Sequence, residues 1–319
     1  MRTGLLYGPV QEDLALVEAT FDSLKQVDYA PLAEMLKTVL VGGKLMRPAL
    51  TLLAGRIGNY NLDLLVPLAA SVELLHTASL VHDDVIDNAD TRRGRPTANS
   101  SFHNATTVML GDYMFAHAAD QVARTGNIRV IRLFAQTLMM MTRGEIGQDL
   151  TAYDSRQTVR DYLGRIGGKT ASLFATACQG GAVVAEEPEE WIEALRSYGY
   201  NFGMAFQIVD DILDFTGDEA EMGKPVGSDL MQGTLTLPAL LLMDRHPDDN
   251  PVQKYFARPR KELLAQAVEA IREGNIAEES YEMARSFCAS ALEAISVLPD
   301  DPARRALHDL TDYVLERRS

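Results

Sequence analysis

The sequence predicts an all-α fold, organised as one domain spanning residues 1–319. Three observations predict it. Apolar residues recur at steps of three and four through most of the chain. Ala, Leu, Met, Glu and Arg, all good helix formers, dominate those stretches. No alternating β-branched run and no Asn-Gly or Asp-Gly hairpin turn interrupts them.

Taken in order, the helical spacing is clearest over Val66–Leu80, Val130–Met141, Trp191–Phe215, Leu263–Ile271 and Ala284–Leu298. Short breaks punctuate the chain. Gly42-Gly43 and Gly58-Asn59 interrupt the early part, and Thr91–Thr97 carries glycine and proline. Glu186–Pro188, Thr216–Gly233, His246–Pro251 and Leu298–Pro302 come later. None of them has the composition of an interdomain linker, and no internal repeat is visible. Ten or more helices in a single unit are therefore expected.

Composition excludes several classes. The chain is 46% hydrophobic and 24% charged, which suits a large packed core and not a disordered state. Its 45 acidic and 30 basic side chains give a net charge of −15, which argues against a nucleic-acid binder. Cys178 and Cys288 are too few and too far apart for a disulfide framework or a metal knuckle. No uncharged apolar run reaches the length of a membrane span, and Met1–Glu12 lacks the pattern of a secretory signal. A soluble, cytoplasmic setting is expected.

The informative feature is a duplication. Asp83, Asp84 and Asp87 form one DDxxD motif, and Asp210, Asp211 and Asp214 form a second. At about 100° per residue, each trio falls within one arc of its helix, and Gln207 shares the face of the second. Like charges so placed repel, and hard cations relieve the repulsion. Mg²⁺ prefers oxygen ligands and keeps positions for water and phosphate oxygens, so two facing clusters would hold several ions and a diphosphate. An isolated acidic run is usually a solvated helix face. Two copies flanked on both sides by apolar residues, such as Leu80, Val85, Ile208 and Phe215, do not fit that description.

Basic residues surround these motifs. Lys44 and Arg47, after Gly42-Gly43, share one side of a starting helix. They suit a phosphate, although a turn with solvated cations reads equally simply. Arg92, Arg93 and Arg95 come after the first cluster. Lys169-Thr170 mimics a nucleotide P-loop but lacks the required glycine at Leu163 and any preceding strand. Lys224 and Asp229 lie after the second cluster. His76 stands seven residues before Asp83 on nearly the same face, as either a structural histidine or a phosphate contact.

Together these segments resemble the trans-isoprenyl diphosphate synthase family. The resemblance runs through GGKLMRP at Gly42–Pro48, HDDVIDNADTRRGRPT at His82–Thr97, GEIGQ at Gly144–Gln148, GKTASLF at Gly168–Phe174, FQIVDDILDFTGD at Phe206–Asp218 and GKPVGSDLMQGTLTLP at Gly223–Pro238. It implies the isoprenoid synthase fold, a bundle of mostly antiparallel helices around a deep central cavity, as a homodimer. It implies head-to-tail condensation of isopentenyl diphosphate with an allylic prenyl diphosphate. By the same resemblance Mg²⁺, three per active site, is held by Asp83, Asp84, Asp87, Asp210, Asp211 and, less directly, Asp214. Arg92, Lys169 and Lys224 would contact the allylic diphosphate; Lys44, Arg47, His76 and Arg93 would take isopentenyl diphosphate. Thr170 and Gln207 would hold the reactive end of the allylic chain.

In the family, residues four and five before the first aspartate help cap the cavity. Here they are Ser79 and Ala78, both small, with Leu75 and Ser71 further back. A product longer than fifteen carbons is expected, with Phe115, Phe134, Leu138 or Met141 as the floor. Thr234 stands where many members carry a second lysine, which implies weaker allylic binding. The alternatives are a short-chain farnesyl or geranylgeranyl synthase, a class I terpene cyclase, a head-to-head synthase, a silent partner subunit and a helical scaffold. The second complete DDxxD disfavours the cyclase, and six retained aspartates disfavour the silent subunit.

Overall fold

In the computed structural model, residues 7–92, 94–219 and 225–317 are described, and they are almost wholly helical. Helices α1 (Leu14–Leu24), α2 (Ala30–Val39) and α3 (Met46–Arg56) lead into α4 (Leu62–Ile86). Next is a two-stranded hairpin, β1 (Thr91–Arg92) with β2 (Arg95–Pro96). Then come α5 (Ala98–Ser101), α6 (Asn104–Ala123), α7 (Ile128–Leu150) and α8 (Val159–Ile166). A π turn, Gly167–Ala171, joins α8 to α9 (Ser172–Val184), and α10 (Glu189–Thr216) is the longest helix. The remainder is α11 (Ser228–Met231), α12 (Leu237–Arg245), α13 (Pro251–Ala257), α14 (Lys261–Glu273), α15 (Ile276–Ala294) and α16 (Pro302–Glu316).

The chain forms two compact units, each drawn from three segments. The first comprises Met1–Leu138, Leu173–Gly199 and Leu292–Leu310. Its centre is α4, which packs on α3, α6 and α1. Asn61 caps α4 by accepting the Asp63 N–H at 3.0 Å, and Pro67 lies inside the helix, where it removes one backbone hydrogen bond. By length and mean hydropathy (1.7 over its best window) α4 could cross a membrane. Its apolarity has a nearer cause: Leu65, Ala69, Val72, Leu75 and Ala78 are fully buried in this unit, as expected of a helix apolar all round. Small residues let α9 approach closely: a Cβ on Gly181 would lie 2.3 Å from the Thr51 carbonyl oxygen on α3.

The second unit comprises Met139–Ser172, Tyr200–Ala291 and Thr311–Ser319. The C-terminal half of α10 is its most buried element, with Ile208, Val209, Ile212 and Phe215 fully shielded. Arg272 on α14 caps that helix, donating its Nε–H to the Phe215 carbonyl at 2.6 Å. Thr158 and Asp161 form a reciprocal capping box that starts α8.

Two local features shape the path of the chain. Thr91–Thr97 is a small hairpin, not an unstructured break, because Gly94 takes φ +72° at its turn. The Gly167-Gly168 pair opens the π turn.

Candidate active site

In the first unit the site is built at the C-terminal end of α4. Asn88 takes φ +50° and stops the helix just after Asp87. The hairpin then folds back, and Arg92 Nε donates to Asp84 Oδ1 at 2.7 Å. Asp84 is only 5% exposed, and burial raises its pKa against the opposing pull of the Arg92 charge. Asp83 is half-buried and Asp87 exposed. The base of the turn is fixed by Thr97 and Asn99, whose side chains donate to the Ala89 carbonyl at 2.6 and 3.1 Å.

His82 locks this end of α4 to α6. Its Nε2–H donates to the Val108 carbonyl at 2.9 Å, and its ring meets Phe115 edge-on at 5.3 Å. Gly111 makes room, since a Cβ there would fall 2.1 Å from the imidazole. Lys44 is exposed, and Leu45 (φ +46°) opens α3. Arg47 is half-buried with its guanidinium 4.3 Å over the Phe174 ring. His76 is half-buried. Leu75 and Ala78 are completely enclosed, whereas Ser79 is half-buried and donates to the His76 carbonyl at 2.8 Å. Ser79 is thus the only one of the three that a bound chain could touch without repacking α4. Phe115 and Leu138 are half-buried, and Phe134 and Met141 buried. Arg93 and Lys224 lie outside the described residues.

In the second unit the site is built on α10, α8 and the π turn. Asp210 is exposed. Asp211 is 4% exposed, and both its oxygens are engaged: Tyr162 donates to Oδ2 at 2.7 Å and Gln207 Nε2 to Oδ1 at 2.8 Å. Burial, and then the Asp229 charge, push the Asp211 pKa up, while those two hydrogen bonds hold it down. Asp214 is fully buried and accepts from Ser228 Oγ at 2.6 Å and from the Asp229 N–H at 3.2 Å, which anchors the start of α11. Thr170 Oγ1 donates to Gln207 Oε1 at 2.8 Å, so those two predicted neighbours do meet. Lys169 pairs with Glu145 and lies 3.5 Å from Gln148 Oε1 on α7. Thr234 is half-buried, its N–H bonded to the Asp229 carbonyl.

Three residues escaped sequence reasoning. Arg317, with 8% side-chain exposure, reaches Asp210 at 3.0 Å and stacks 4.3 Å over the Phe206 ring. Tyr162 is fully buried against Asp211, and Arg165 stands one turn later on α8. The available signal was spacing alone: Tyr162, Arg165 and Lys169 recur at steps of three and four.

No three His, Cys, Asp or Glu side chains among the described residues converge as a closed metal cage. Mg²⁺ does not need one, because one or two carboxylates plus waters and phosphate oxygens complete its shell. Half-buried Asp83 and exposed Asp87 and Asp210 suit that mode of binding.

The polyprenyl synthetase family model matches residues 30–273. Heptaprenyl diphosphate synthase component 2 of Geobacillus stearothermophilus is 41% identical over 322 residues, covering 99% of this chain and 99% of its own length. A decaprenyl diphosphate synthase from Rhodobacter capsulatus superposes with a TM-score of 0.92 at 36% identity, over 99% of each chain. A polyprenyl synthase from Caulobacter crescentus CB15, solved with calcium and isoprenyl diphosphate, gives 0.94 at 32% identity, over 99% of this chain and 98% of that one. This chain belongs to the polyprenyl synthetase family and is a prenyltransferase of the trans-isoprenyl diphosphate synthase type.

Proposed function

We propose that the protein catalyses the Mg²⁺-dependent 1′-4 condensation of isopentenyl diphosphate with an allylic prenyl diphosphate, giving an all-trans product longer than fifteen carbons. One observation carries this: both DDxxD motifs bury their middle aspartate in protein contacts and leave their leading aspartate accessible. Asp83, Asp87 and Asp210 would hold the metal, with Asp84, Asp211 and Asp214 fixing them from behind. Mg²⁺ bound there would neutralise the diphosphate and favour its departure. Arg92 and Lys169 would add fixed positive charge where negative charge develops. Lys44, Arg47 and His76 would bind the second diphosphate, and Thr170 and Gln207 would orient the reactive end of the allylic chain.

The allylic C–O bond breaks and its electron pair leaves on pyrophosphate. The double bond of isopentenyl diphosphate supplies the electrons of the new C–C bond. The proton then lost goes to the released pyrophosphate, so no side chain need be a nucleophile.

Support for a long product comes from the heptaprenyl and decaprenyl relatives and from small Ser79. Support for a homodimer comes from α7, which exposes Ile128, Met139, Ile146 and Leu150. A second reading, that another subunit completes the enzyme, is favoured by the relative named component 2. Two unpaired, buried cysteines are consistent with a cytoplasmic location. The test is to incubate the purified chain with Mg²⁺, farnesyl diphosphate and labelled isopentenyl diphosphate and to resolve products by carbon number. A ladder ending above twenty carbons is expected. Absence of condensation by the chain alone would favour the two-subunit reading.

A further inference from the structure

Tyr162 lies at the end of a relay that the two aspartate motifs do not themselves require. Its hydroxyl donates to Asp211 Oδ2 at 2.7 Å. Gln207 Nε2 donates to the other oxygen at 2.8 Å, and Thr170 Oγ1 donates to Gln207 Oε1 at 2.8 Å. Three short bonds therefore tie α8, α10 and the π turn together. The relay has one polarity. As a carboxylate Asp211 accepts both bonds, which sets the flip of the Gln207 amide, and that in turn commits the Thr170 hydroxyl proton. Without the Tyr162 donor, one oxygen of a 4%-exposed carboxylate would lose its partner.

Tyr198, equally buried, donates to the Leu307 carbonyl at 2.7 Å. Tyr162 instead spends its only proton on the motif carboxylate next to Asp210. Arg165 stands 5.7 Å from the Tyr162 ring, and its guanidinium donates to Gln157 Oε1 at 2.7 Å and to the Leu235 carbonyl. The capping box at Thr158 and Asp161 and the π turn at Gly167 bracket α8 and fix where Tyr162 points.

We infer that Tyr162 is a positioning residue for the allylic diphosphate and its Mg²⁺, acting through Asp211 on Asp210, Gln207 and Thr170. The inference rests on the proposed condensation for the identity of the ligand, but its test does not require turnover. Full-length wild type, Tyr162→Phe, Asp211→Asn and the double variant would be titrated with farnesyl diphosphate by calorimetry, with and without Mg²⁺, alongside unfolding midpoints. Tyr162→Phe is expected to weaken Mg²⁺-dependent binding by up to about 10-fold, the low end of the effect of a direct partner of a metal ligand. In the Asp211→Asn background, the same change is expected to cost little more. For the active enzyme, KM for the allylic substrate should rise while KM for isopentenyl diphosphate stays unchanged. Equal losses from Tyr162→Phe in both backgrounds would overturn the assignment, as would unchanged Mg²⁺-dependent binding with a lowered unfolding midpoint. If Tyr162→Phe alone fails to fold, the double variant against Asp211→Asn still decides it. Wild type that binds the diphosphate but forms no product would count against the proposed reaction and not against Tyr162.

Discussion

Asp210 and Asp214 belong to one motif, yet their surroundings predict opposite phenotypes. Asp214 is fully buried and accepts from Ser228 Oγ at 2.6 Å and the Asp229 N–H at 3.2 Å. A hydrogen bond to a charged group contributes about 1.5–3 kcal/mol, and two are lost in Asp214→Ala. Relief of carboxylate burial offsets part of that, so a net destabilisation of about 2–4 kcal/mol is expected. Asp210 is exposed, and an asparagine there still accepts from Arg317. The substitution removes the charge facing the largely buried Arg317 guanidinium, so Asp210→Asn should cost about 1–2 kcal/mol of stability. Under the proposed function its effect is expected on catalysis. Loss of a metal ligand removes several kcal/mol of transition-state stabilisation, or about 10²–10⁴ in rate. The assay is the urea unfolding midpoint of each variant beside its condensation rate at saturating Mg²⁺. Asp214→Ala with a wild-type midpoint would overturn this contrast, as would Asp210→Asn with a midpoint as low as that of Asp214→Ala.

Other substitutions are decided by the same packing. Gly199→Ala would set a Cβ 2.5 Å from the Phe174 carbonyl oxygen, so α9 and α10 must separate. Overpacking of about 1–3 kcal/mol should exceed the ~1 kcal/mol helix-propensity gain, read as a lower unfolding midpoint. Gly111→Ala should be destabilising for its 2.1 Å approach to His82, and His82→Ala should restore much of the loss in the double variant. Ser79→Phe is expected to shorten the product, read by chromatography of the ladder; an unchanged ladder would remove Ser79 from chain-length control. Glu187 is 7% exposed, and burial raises its pKa to about 7. Its folded state prefers the proton, so its contribution is full below pH ~4.5 and lost as pH rises towards 7. Glu187→Gln should flatten that dependence and raise stability at pH 8 by roughly 1–3 kcal/mol, measured by unfolding across pH.

The sequence made the long helices legible, because α4 and α10 carry their apolar periodicity through the aspartate motifs. It placed each acidic trio on one arc but could not rank the members. Burial did that: Asp84 and Asp211 are turned inward in both motifs, while the third position is exposed at Asp87 and enclosed at Asp214. The difference lies in the segments C-terminal to each motif. Arg92 returns on a hairpin eight residues after Asp84, whereas Ser228 arrives fourteen residues after Asp214 to use its carboxylate as an anchor. Tyr162 and Arg317 were invisible for a simpler reason. Their partners lie 49 and 107 positions away, and no local pattern encodes contacts at that range. Helix α12 went unread because Leu237–Leu242 is nearly continuous in apolar residues and shows no period.

The most direct measurement is a crystal structure with Mn²⁺ and an unreactive allylic thiodiphosphate, with the metal located by anomalous scattering. Metal is expected on Asp83, Asp87 and Asp210, with Asp211 still bonded to Tyr162 and Gln207 and Asp214 still holding Ser228. Metal bound by Asp214, or diphosphate bound without contact to either motif, would contradict this division of roles among the six aspartates.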